Sequence, residues 1–203
     1  AATIALVRDG VPGVEVFLVR RHSGSGFMAN AYVFPGGRLD AEDASPALLE
    51  RLGPGSDEGV ALMEGTSDRA TARAHLVAAV RETFEESGIL LAVRASGAMV
   101  SPPPAWQRAL NAGERSFESL LVAEDLSMTT DSLAYFAHWI TPTFESRRYD
   151  ARFFLAVVPE GVEGHHDGKE TTESLWVTPS AALARHAAGE LFLAPPQWQV
   201  LRQ

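Results

Sequence analysis

One stretch of this sequence, Arg69 to Ser87, constrains the fold more than any other. Small and apolar residues recur in it at intervals of three and four, at Ala72, Leu76, Ala79, Val80 and Thr83. This spacing predicts an amphipathic helix that packs by one face against the rest of the chain. Asp68 is suited to cap the first turn, and Gly88 stands where a helix commonly ends. The chain must therefore fold around a long helix with one buried side.

The same helix carries a dense set of charges near its end, in the segment "VRETFEESG". At about 100° per residue, Glu82, Glu85 and Glu86 fall within roughly a quarter to a third of the helix circumference, away from the apolar face. Arg81 lies four residues before Glu85 and can pair with it. A glutamate-rich helix face is most often solvated surface, but three converging carboxylates also suit Mg²⁺ or Mn²⁺ bound together with substrate phosphates.

The composition bounds what such a site can serve. The 203 residues fit one domain and include no cysteine, which excludes disulfides, thiolate metal sites and cysteine nucleophiles. A formal net charge of −9 disfavours binding to nucleic acid. No apolar run approaches the ~20 residues of a membrane helix, and the first residues do not resemble a signal peptide. We therefore expect a cytoplasmic protein that binds neither nucleic acid nor membrane.

The remaining patterns predict a mixed sheet between helices, the α/β (α+β) class, and not a doubly wound parallel sheet. Alternating, valine-rich segments on either side of the Asp9–Gly10 turn predict a β-hairpin. The segment "AYVFPGGRLD" is predicted to be a short strand that runs into a glycine-rich loop, and further strands are predicted in "ILLAV", "AHWITP", "ARFFLAVVP" and "SLWVT". Helices are predicted at Pro46–Leu52, in two pieces between Trp106 and Phe136 with a break near Asn111–Gly113, and in "PSAALARHAAG" and "APPQWQVL".

Two motifs together make the sequence resemble the Nudix hydrolases. "VFPGGRLDAED" supplies Gly37, which matches the glycine that opens the family signature, and "RETFEESGI" matches its second half, Arg-Glu-apolar-x-Glu-Glu-x-Gly-apolar. Asp43 stands where the family has a glutamate, and 37 residues separate it from Arg81, many more than in the usual signature. The chain is therefore predicted to be a single Nudix domain with an insertion at about 44–70 and a helical insertion at about 102–135. The first insertion leaves the role of Asp43 open.

The resemblance implies a catalytic and metal-binding set. Glu82, Glu85 and Glu86 take the metal-ligand role for Mg²⁺ or Mn²⁺, and the carbonyl of Gly36 joins them. Arg81 takes the orienting role, and Gly37 lies against the substrate. A carboxylate must remove a proton from the attacking water. The candidates for this step are Glu85, Glu86, Glu170 and Glu173, of which Glu173 is placed in the predicted catalytic set beside the helix residues.

Two arginines and two aromatic residues are weaker candidates for substrate contacts. Arg147 and Arg148, in "ESRRYDARFF", are predicted to clamp a substrate phosphate, although a solvent-exposed turn explains them equally well. Phe27 and Tyr32 flank the glycine loop, and such residues more often belong to the core than stack on a base. Neither pair identifies the substrate by itself.

The predicted function is metal-dependent hydrolysis of the diphosphate in a nucleoside diphosphate linked to another moiety. Similarity to an insert-bearing branch of the family favours coenzyme A or acyl-CoA, while nucleotide sugars, dinucleoside polyphosphates and NADH stay open. The isomerases of the same fold rely on a cysteine, which this chain lacks. A nucleotide-binding module with little activity is the alternative, although the intact glutamates favour an enzyme. The expected partner is the small-molecule substrate. The two insertions either cover the substrate pocket or form the interface of a homodimer, and the sequence leaves both roles open.

Overall fold

The computed structural model of the chain describes residues 1–11, 13–26, 28–63, 65, 68–143 and 148–202. Its strands are β1 (Ala2–Gly10), β2 (Gly13–Arg21), β3 (Ala31–Val33), β4 (Gly36–Gly37), β5 (Ala92–Val93), β6 (Ser127–Met128), β7 (Leu133–Ile140), β8 (Asp150–Val157), β9 (Thr171–Val177) and β10 (Phe192–Leu193). Its helices are α1 (Pro46–Leu49), α2 (Ser56–Ala61), α3 (Arg69–Ser87), α4 (Pro104–Asn111), α5 (Phe117–Ala123), α6 (Pro179–Ala187) and α7 (Pro195–Val200). Short 3₁₀ helices at Ala41–Ala44 and Thr130–Ser132 precede α1 and β7.

The large sheet is mixed, as the sequence predicts. Its main path runs β10-β3-β2-β1-β8-β7, with β4 added beside β1 and β9 beside β2. The pairs β1–β8 and β3–β10 are parallel, whereas β1–β2, β2–β3, β2–β9 and β7–β8 are antiparallel. Strands β5 and β6 form a separate two-stranded ribbon. The expected α/β class is confirmed.

Strands β1 and β2 form the predicted hairpin but diverge early. Their pairing runs from Gly10 opposite Gly13 to Val7 opposite Val16 and stops there. Beyond that point β1 pairs with β4, and β2 pairs with β9. Helix α3 packs against both β1 and β4. The start of β1 therefore holds the glycine pair of β4 next to the helix that carries the glutamates.

Alternation along the strands divides the core into two layers. In β2, Phe17 and Val19 lie in the layer that contains α3, and Val16 and Leu18 lie in the layer that contains α6. This follows from the geometry of a strand, in which neighbouring side chains point to opposite faces. The sheet thus lies between helices on both sides. A shift of one residue along a strand moves a side chain from one layer to the other.

Helix α3 has the bounds that the sequence predicts. Asp68 accepts a hydrogen bond from the N–H of Thr71 at 2.8 Å, and Gly88 ends the helix with a φ of 71°. Phe84 is fully buried on the packed face. Thr83 is also fully buried, and its hydroxyl has no hydrogen-bond partner among the described residues. The expectation of a single buried face is wrong, because Ala74 and Ala78 on the opposite side are buried as well, where α1, α2 and α4 also pack on the helix.

Two segments differ from the prediction. In "ILLAV" only Ala92–Val93 is a strand, and the residues before it are buried without strand pairing. Between residues 106 and 136 the predicted break is present, because α4 ends at Asn111 and α5 begins at Phe117, but the helix predicted beyond α5 is wrong. There β6 pairs with β5, and β7 begins at Leu133 and pairs with β8. Sheet pairing outweighs the local helical pattern at these positions.

The segments predicted as insertions supply helices that pack on α3. Residues 44–70 contain α1 and α2, and residues 102–135 contain α4 and α5. Helices α1, α2 and α4 all contact α3. The predicted helix at Pro46–Leu52 is shorter than expected and ends at Leu49. Among the described residues, no helix has both the length and the apolar character needed to cross a bilayer.

Candidate active site

The site is organised around one buried arginine, Arg81 on α3. Its Nε and Nη2 donate to the two carboxylate oxygens of Asp43 at 2.8 and 3.0 Å. Only 1% of the Asp43 side chain and 9% of the Arg81 side chain are exposed. A buried ion pair with two parallel hydrogen bonds keeps both charges satisfied where water cannot. The aspartate that the sequence leaves without a role therefore anchors the arginine of the helix.

The remaining donors of Arg81 hold the glutamates and the glycine loop. Its Nη1 donates to Glu82 Oε1 at 3.0 Å and to Glu85 Oε2 at 3.1 Å. Its Nη2 also donates to the carbonyl oxygen of Arg38 at 2.9 Å. The predicted pairing of Arg81 with Glu85 is thus present. Because one guanidinium touches two glutamates and the loop, it fixes the rotamers of both carboxylates relative to the loop.

Two glycines let the backbone approach the glutamates. The N–H of Gly36 donates to Glu86 Oε2 at 2.9 Å. At Gly37, a β-carbon would collide with the carboxylate of Glu82. Gly36 has a φ of 154°, and a β-carbon there would collide with the start of β1. Both positions therefore require glycine, one for its conformation and one for close approach. Gly36 makes this contact through its N–H, so the metal-ligand role expected for its carbonyl stays a prediction.

Burial sets the electrostatics of the three helix glutamates. It raises the pKa of Glu82 to about 7 and also raises the pKa of Glu85, in both cases against the opposing charge of Arg81. It raises the pKa of Glu86 well above the usual value, against the hydrogen bond from Gly36. The charges of Glu85 on Glu82, and of Glu82 on Glu86, act in the same direction as burial. The site therefore gathers more negative charge than its arginine offsets.

This donor set fits a divalent cation. Carboxylate oxygens are preferred ligands of Mg²⁺, and a cation placed here would favour the charged forms that burial opposes. As they stand in the described residues, no three acidic or histidine side chains are arranged to hold an ion. Glu82 and Glu85 turn towards Arg81, and Glu86 turns towards Gly36. Metal binding therefore requires a change of rotamer in this group.

A fourth glutamate, Glu170, lies in the loop before β9, within electrostatic range of the cluster. Its charge contributes to the raised pKa of both Glu82 and Glu86. The loop is closed by Asp167, which accepts hydrogen bonds from the N–H of Glu170 at 3.0 Å and of Thr171 at 2.8 Å. The Glu170 side chain is exposed, and no hydrogen bond or ion pair is found for it among the described residues. Glu170 is thus a free carboxylate beside a buried, negatively charged group.

Glu173, the other late candidate, is not brought to this cluster. Its neighbour Leu175 lies in the layer of α6, and residues two apart on a strand share a face. The hydroxyl of Tyr32 donates to Glu173, and Arg20 Nη1 lies 3.1 Å from Glu173 Oε1. The hydrogen bond from Tyr32 lowers the pKa of Glu173, the reverse of what happens to the helix glutamates. Glu173 therefore belongs to a separate, exposed group on the other face of the sheet.

The arginine predicted to bind substrate lies at a cavity beside the glycine loop. Arg148 and Tyr149 line an open cavity of about 630 Å³ together with Arg38, the residue after Gly37. Arg147 and Phe27 lie outside the described residues. Tyr32 is only 7% exposed, so it belongs to the core, as the sequence favours. Of the predicted substrate contacts, Arg148 and Gly37 thus lie near the glutamate helix or its loop.

Most of the chain matches a known family. The family described as "NUDT19 Nudix domain" matches residues 63–203. The chain belongs to the Nudix family. Helix α3 and its glutamates lie inside the match, and the glycine loop of this Nudix protein precedes it.

Relatives of the same kind cover nearly all of this Nudix chain. The acyl-coenzyme A diphosphatase NUDT19 of Homo sapiens is 30% identical over 94% of this chain and 60% of its own length. That of Gallus gallus is 31% identical over 98% of this chain and 66% of its own length. A crystal structure of a Nudix hydrolase from Alicyclobacillus acidocaldarius has a TM-score of 0.83 and 30% identity, covering 99% of this chain and 88% of that chain. The chain spans about three-fifths of the length of curated relatives such as the human protein.

Sequence reasoning missed two amide side chains that hold the glutamate helix of this Nudix protein. Gln107 Nε2 and Asn111 Nδ2, both on α4, donate to the backbone carbonyl oxygen of Glu85 at 2.9 and 3.0 Å. Lys169 Nζ donates to the carbonyl oxygen of Asn111 at 2.8 Å, which ties α4 to the loop that carries Glu170. The sequence signal is two amides four residues apart on a predicted helix, and that spacing does not name their partner.

Proposed function

We propose that this Nudix protein is a metal-dependent diphosphohydrolase whose substrates are coenzyme A and acyl-CoA. The observation that carries the proposal is the buried cluster of Arg81, Glu82, Glu85 and Glu86 against the glycine loop. Family membership supports the reaction class. The names of the human and chicken relatives, both acyl-coenzyme A diphosphatases, support the substrate class.

Glu82, Glu85 and Glu86 would hold Mg²⁺ or Mn²⁺, with the carbonyl of Gly36 as an additional ligand. When bound, such an ion neutralises charge on the non-bridging phosphate oxygens and makes water a stronger nucleophile. The negative charge gathered on α3 is what the ion would balance. Mg²⁺ and Mn²⁺ prefer similar oxygen ligands, so activity assays with each ion are needed to distinguish them.

The side chains of the protein position the carboxylates of the site and remove a proton from the attacking water. Asp43 keeps Arg81 in place, and Arg81 holds the carboxylates of Glu82 and Glu85 beside the loop in the metal-free chain. We assign removal of the proton from the attacking water to Glu170, because its carboxylate has no cation of its own among the described residues and lies within electrostatic range of Glu82. Glu85 is the second candidate, but its carboxylate is paired with Arg81. Glu173 has no part in this proposal, since it lies across the sheet.

Gly37 has a steric role in the proposed reaction. Because it lacks a side chain, its backbone lies directly against the Glu82 carboxylate. A diphosphate bound through the glutamates would therefore lie next to the backbone of the loop. Arg148, at the cavity that begins with the following residue, would contact a more distant part of the substrate.

The test is a hydrolysis panel run with Mg²⁺ or Mn²⁺. The substrates are CoA, acyl-CoA, ADP-ribose, NADH, diadenosine polyphosphates and nucleotide sugars, and the variants are Glu85→Gln and Glu173→Gln. The two variants make the same chemical change on opposite faces of the sheet. We expect turnover of CoA or acyl-CoA that is abolished in Glu85→Gln and retained in Glu173→Gln. Metal binding without turnover of any compound would instead support a nucleotide-binding module.

Other expectations from the sequence remain predictions of the same proposal. They are a cytoplasmic location, no binding to nucleic acid or membrane, and a homodimer. Size-exclusion chromatography with light scattering would decide the homodimer. A mass equal to that of one chain at micromolar concentration would contradict it.

A further inference from the structure

A cavity of about 630 Å³ opens beside the glutamate cluster. It is lined by Ala1, Arg38, Leu39, Arg148 and Tyr149. Arg38 and Leu39 directly follow Gly37, whose backbone lies against the Glu82 carboxylate. The carbonyl of Arg38 is itself bound to Arg81 at 2.9 Å. The cavity and the glutamates therefore share one wall, the short loop after β4.

Two arginines without a carboxylate partner lie at this one cavity. Most arginines pair with a carboxylate, namely Arg8, Arg20, Arg51, Arg69, Arg73, Arg81, Arg115, Arg152 and Arg185. Among the residues that the structure describes, Arg38 and Arg148 have no such partner, which is also true of Arg94, Arg108 and Arg202, and Arg148 Nε donates only to the carbonyl of Thr141, at 3.1 Å. With 26 acidic residues against 17 basic ones, two unpaired guanidinium groups at one cavity are not explained by a shortage of carboxylates.

The carboxylates nearest in sequence are already engaged elsewhere. Asp40 lies 3.6 Å from Arg81 Nη2. Asp150 lies 2.6 Å from Arg152 Nη1 and 2.7 Å from His138 Nε2. Arg38 and Arg148 thus keep donors available for a ligand. A guanidinium presents a planar fork of N–H donors that matches a phosphate group in a bidentate fashion.

We propose that Arg38 and Arg148 bind a second phosphate of the substrate, a phosphate monoester carried on the nucleotide whose diphosphate lies at the glutamates. The inference rests on the proposed diphosphohydrolase function, because that function fixes where the diphosphate lies. Coenzyme A carries such a group, the 3′-phosphate of its ribose. ADP-ribose, NADH, diadenosine polyphosphates and nucleotide sugars of the uridine type have a diphosphate or longer bridge without a phosphate monoester. The cavity would therefore select coenzyme A derivatives from other nucleoside diphosphates.

The experiment compares CoA with 3′-dephospho-CoA, which differ only in this phosphate. The native chain, Arg38→Ala and Arg148→Ala are assayed for kcat/KM on both compounds. Arg94→Ala is the matched control, since Arg94 is exposed and its described contact is likewise a backbone carbonyl, that of Glu124 at 3.3 Å. The carbonyl of Arg38 that binds Arg81 is part of the backbone and is kept in Arg38→Ala.

The native chain is expected to prefer CoA over dephospho-CoA by roughly 10-fold or more in kcat/KM, the size of one or two charge-assisted hydrogen bonds. Arg38→Ala and Arg148→Ala are expected to reduce that preference towards one, mainly by raising KM for CoA. Arg94→Ala is expected to keep it. Equal kcat/KM of the native chain on the two compounds, or equal losses on both in the arginine variants, would overturn the proposal.

A binding measurement separates this proposal from the function on which it rests. Calorimetry with adenosine 3′,5′-bisphosphate and with 5′-AMP compares the same phosphate without any turnover. Tighter binding of the bisphosphate that is lost in Arg148→Ala would support phosphate binding at the cavity. If no diphosphate is hydrolysed at the same time, only the proposed reaction would be wrong. Equal binding of the two nucleotides by the native chain would overturn the cavity even in an active enzyme.

Discussion

Two groups of carboxylates lie on opposite faces of the central sheet, and each contains an arginine. On the α3 face, Glu82 and Glu86 are largely buried, and burial raises the pKa of both. On the other face, Glu173 has 52% of its side chain exposed, and the hydrogen bond from Tyr32 lowers its pKa. Both faces offer an Arg–Glu contact near 3 Å. The two groups differ in their balance of charge and in their access to water. On the buried α3 face the negative charge exceeds what Arg81 offsets, whereas Arg20 and Glu173 form an exposed pair.

The difference teaches how to weigh an acidic cluster. An exposed ion pair such as Arg20–Glu173 satisfies its own charges and needs no ligand. The α3 cluster keeps a surplus of charge next to a backbone loop that has no side chains at Gly36 and Gly37. Buried negative charge beside a loop without side chains is the arrangement expected of a site that binds a cation and a phosphate.

The largest expected contrast is between two glutamates three residues apart. Glu170→Gln is expected to lower kcat by roughly 10²- to 10⁴-fold, as for the loss of a general base, whereas Glu173→Gln is expected to change it by less than about threefold. The measurement is kcat on the substrate identified by the panel. Equal losses in the two variants would show that the faces are not functionally distinct.

The next contrast concerns stability. Asp43→Asn removes the carboxylate that accepts two buried hydrogen bonds of Arg81 and leaves Glu82 and Glu85 as its anionic partners, so it is expected to cost roughly 2–4 kcal/mol of unfolding free energy. Glu173→Gln removes an exposed partner of Arg20 and is expected to cost less than about 1 kcal/mol. Urea unfolding of the two variants and the native chain measures both values. Similar midpoints for the two variants would contradict the anchoring role assigned to Asp43.

The opposite pKa shifts predict opposite pH dependences in the metal-free chain. The folded-state pKa of Glu82 is raised to about 7, so its effect on stability is most favourable below its ordinary pKa and is lost as pH rises to 7 and above. The loss is expected to be on the order of 2–3 kcal/mol. Glu173 has a lowered pKa, so its contribution is present above its ordinary pKa and lost as pH falls.

Urea midpoints of the native chain and Glu82→Gln, measured in chelator across this range, test that sign. The variant cannot ionise at this position and is expected to be the more stable protein at neutral pH. Added Mg²⁺ or Mn²⁺ is expected to stabilise the native chain more than the variant. Parallel curves of urea midpoint against pH for the two proteins would contradict the prediction that ionisation of Glu82 destabilises the folded chain.

The smallest contrast removes one hydrogen bond on each face. Asn111→Ala takes away one of the two amides that bind the Glu85 carbonyl, and Tyr32→Phe takes away the hydroxyl that binds Glu173. Each is expected to cost about 1 kcal/mol of stability. Only Asn111→Ala is expected to lower kcat, because only Glu85 belongs to the proposed site. A comparison of kcat in two variants of matched stability checks this, and a loss in Tyr32→Phe would contradict it.

Whether a feature of the fold or of the site could be predicted from the sequence depends on how far apart in the chain the interacting residues lie. The bounds of α3 follow from local chemistry, the Asp68 cap and the positive φ of Gly88, and the pairing of Arg81 with Glu85 follows from helical spacing. The partner of Asp43 was not predictable, because 37 residues separate it from Arg81 and spacing no longer fixes where it lies. Those are contacts that only the folded insertion determines.

The sequence does not distinguish between Glu170 and Glu173 for a different reason. Both lie in one short stretch, and the sequence offers no sign of where the loop ends and β9 begins. Because strand parity decides the face, an uncertainty of a single residue in register reverses the assignment. The helix predicted beyond α5 failed similarly, since the pairing of β7 with β8 is a property of the sheet and not of the segment.

The amides of α4 bind the main chain of Glu85 and not its carboxylate. Their hold on the helix end therefore does not depend on which side chain stands at position 85, on its protonation, or on whether it binds an ion. A carboxylate can be replaced there without releasing the segment that presents it. At Glu85 the support of the backbone in this Nudix protein is thus independent of the chemistry of the side chain, and the side chain can change while the support stays.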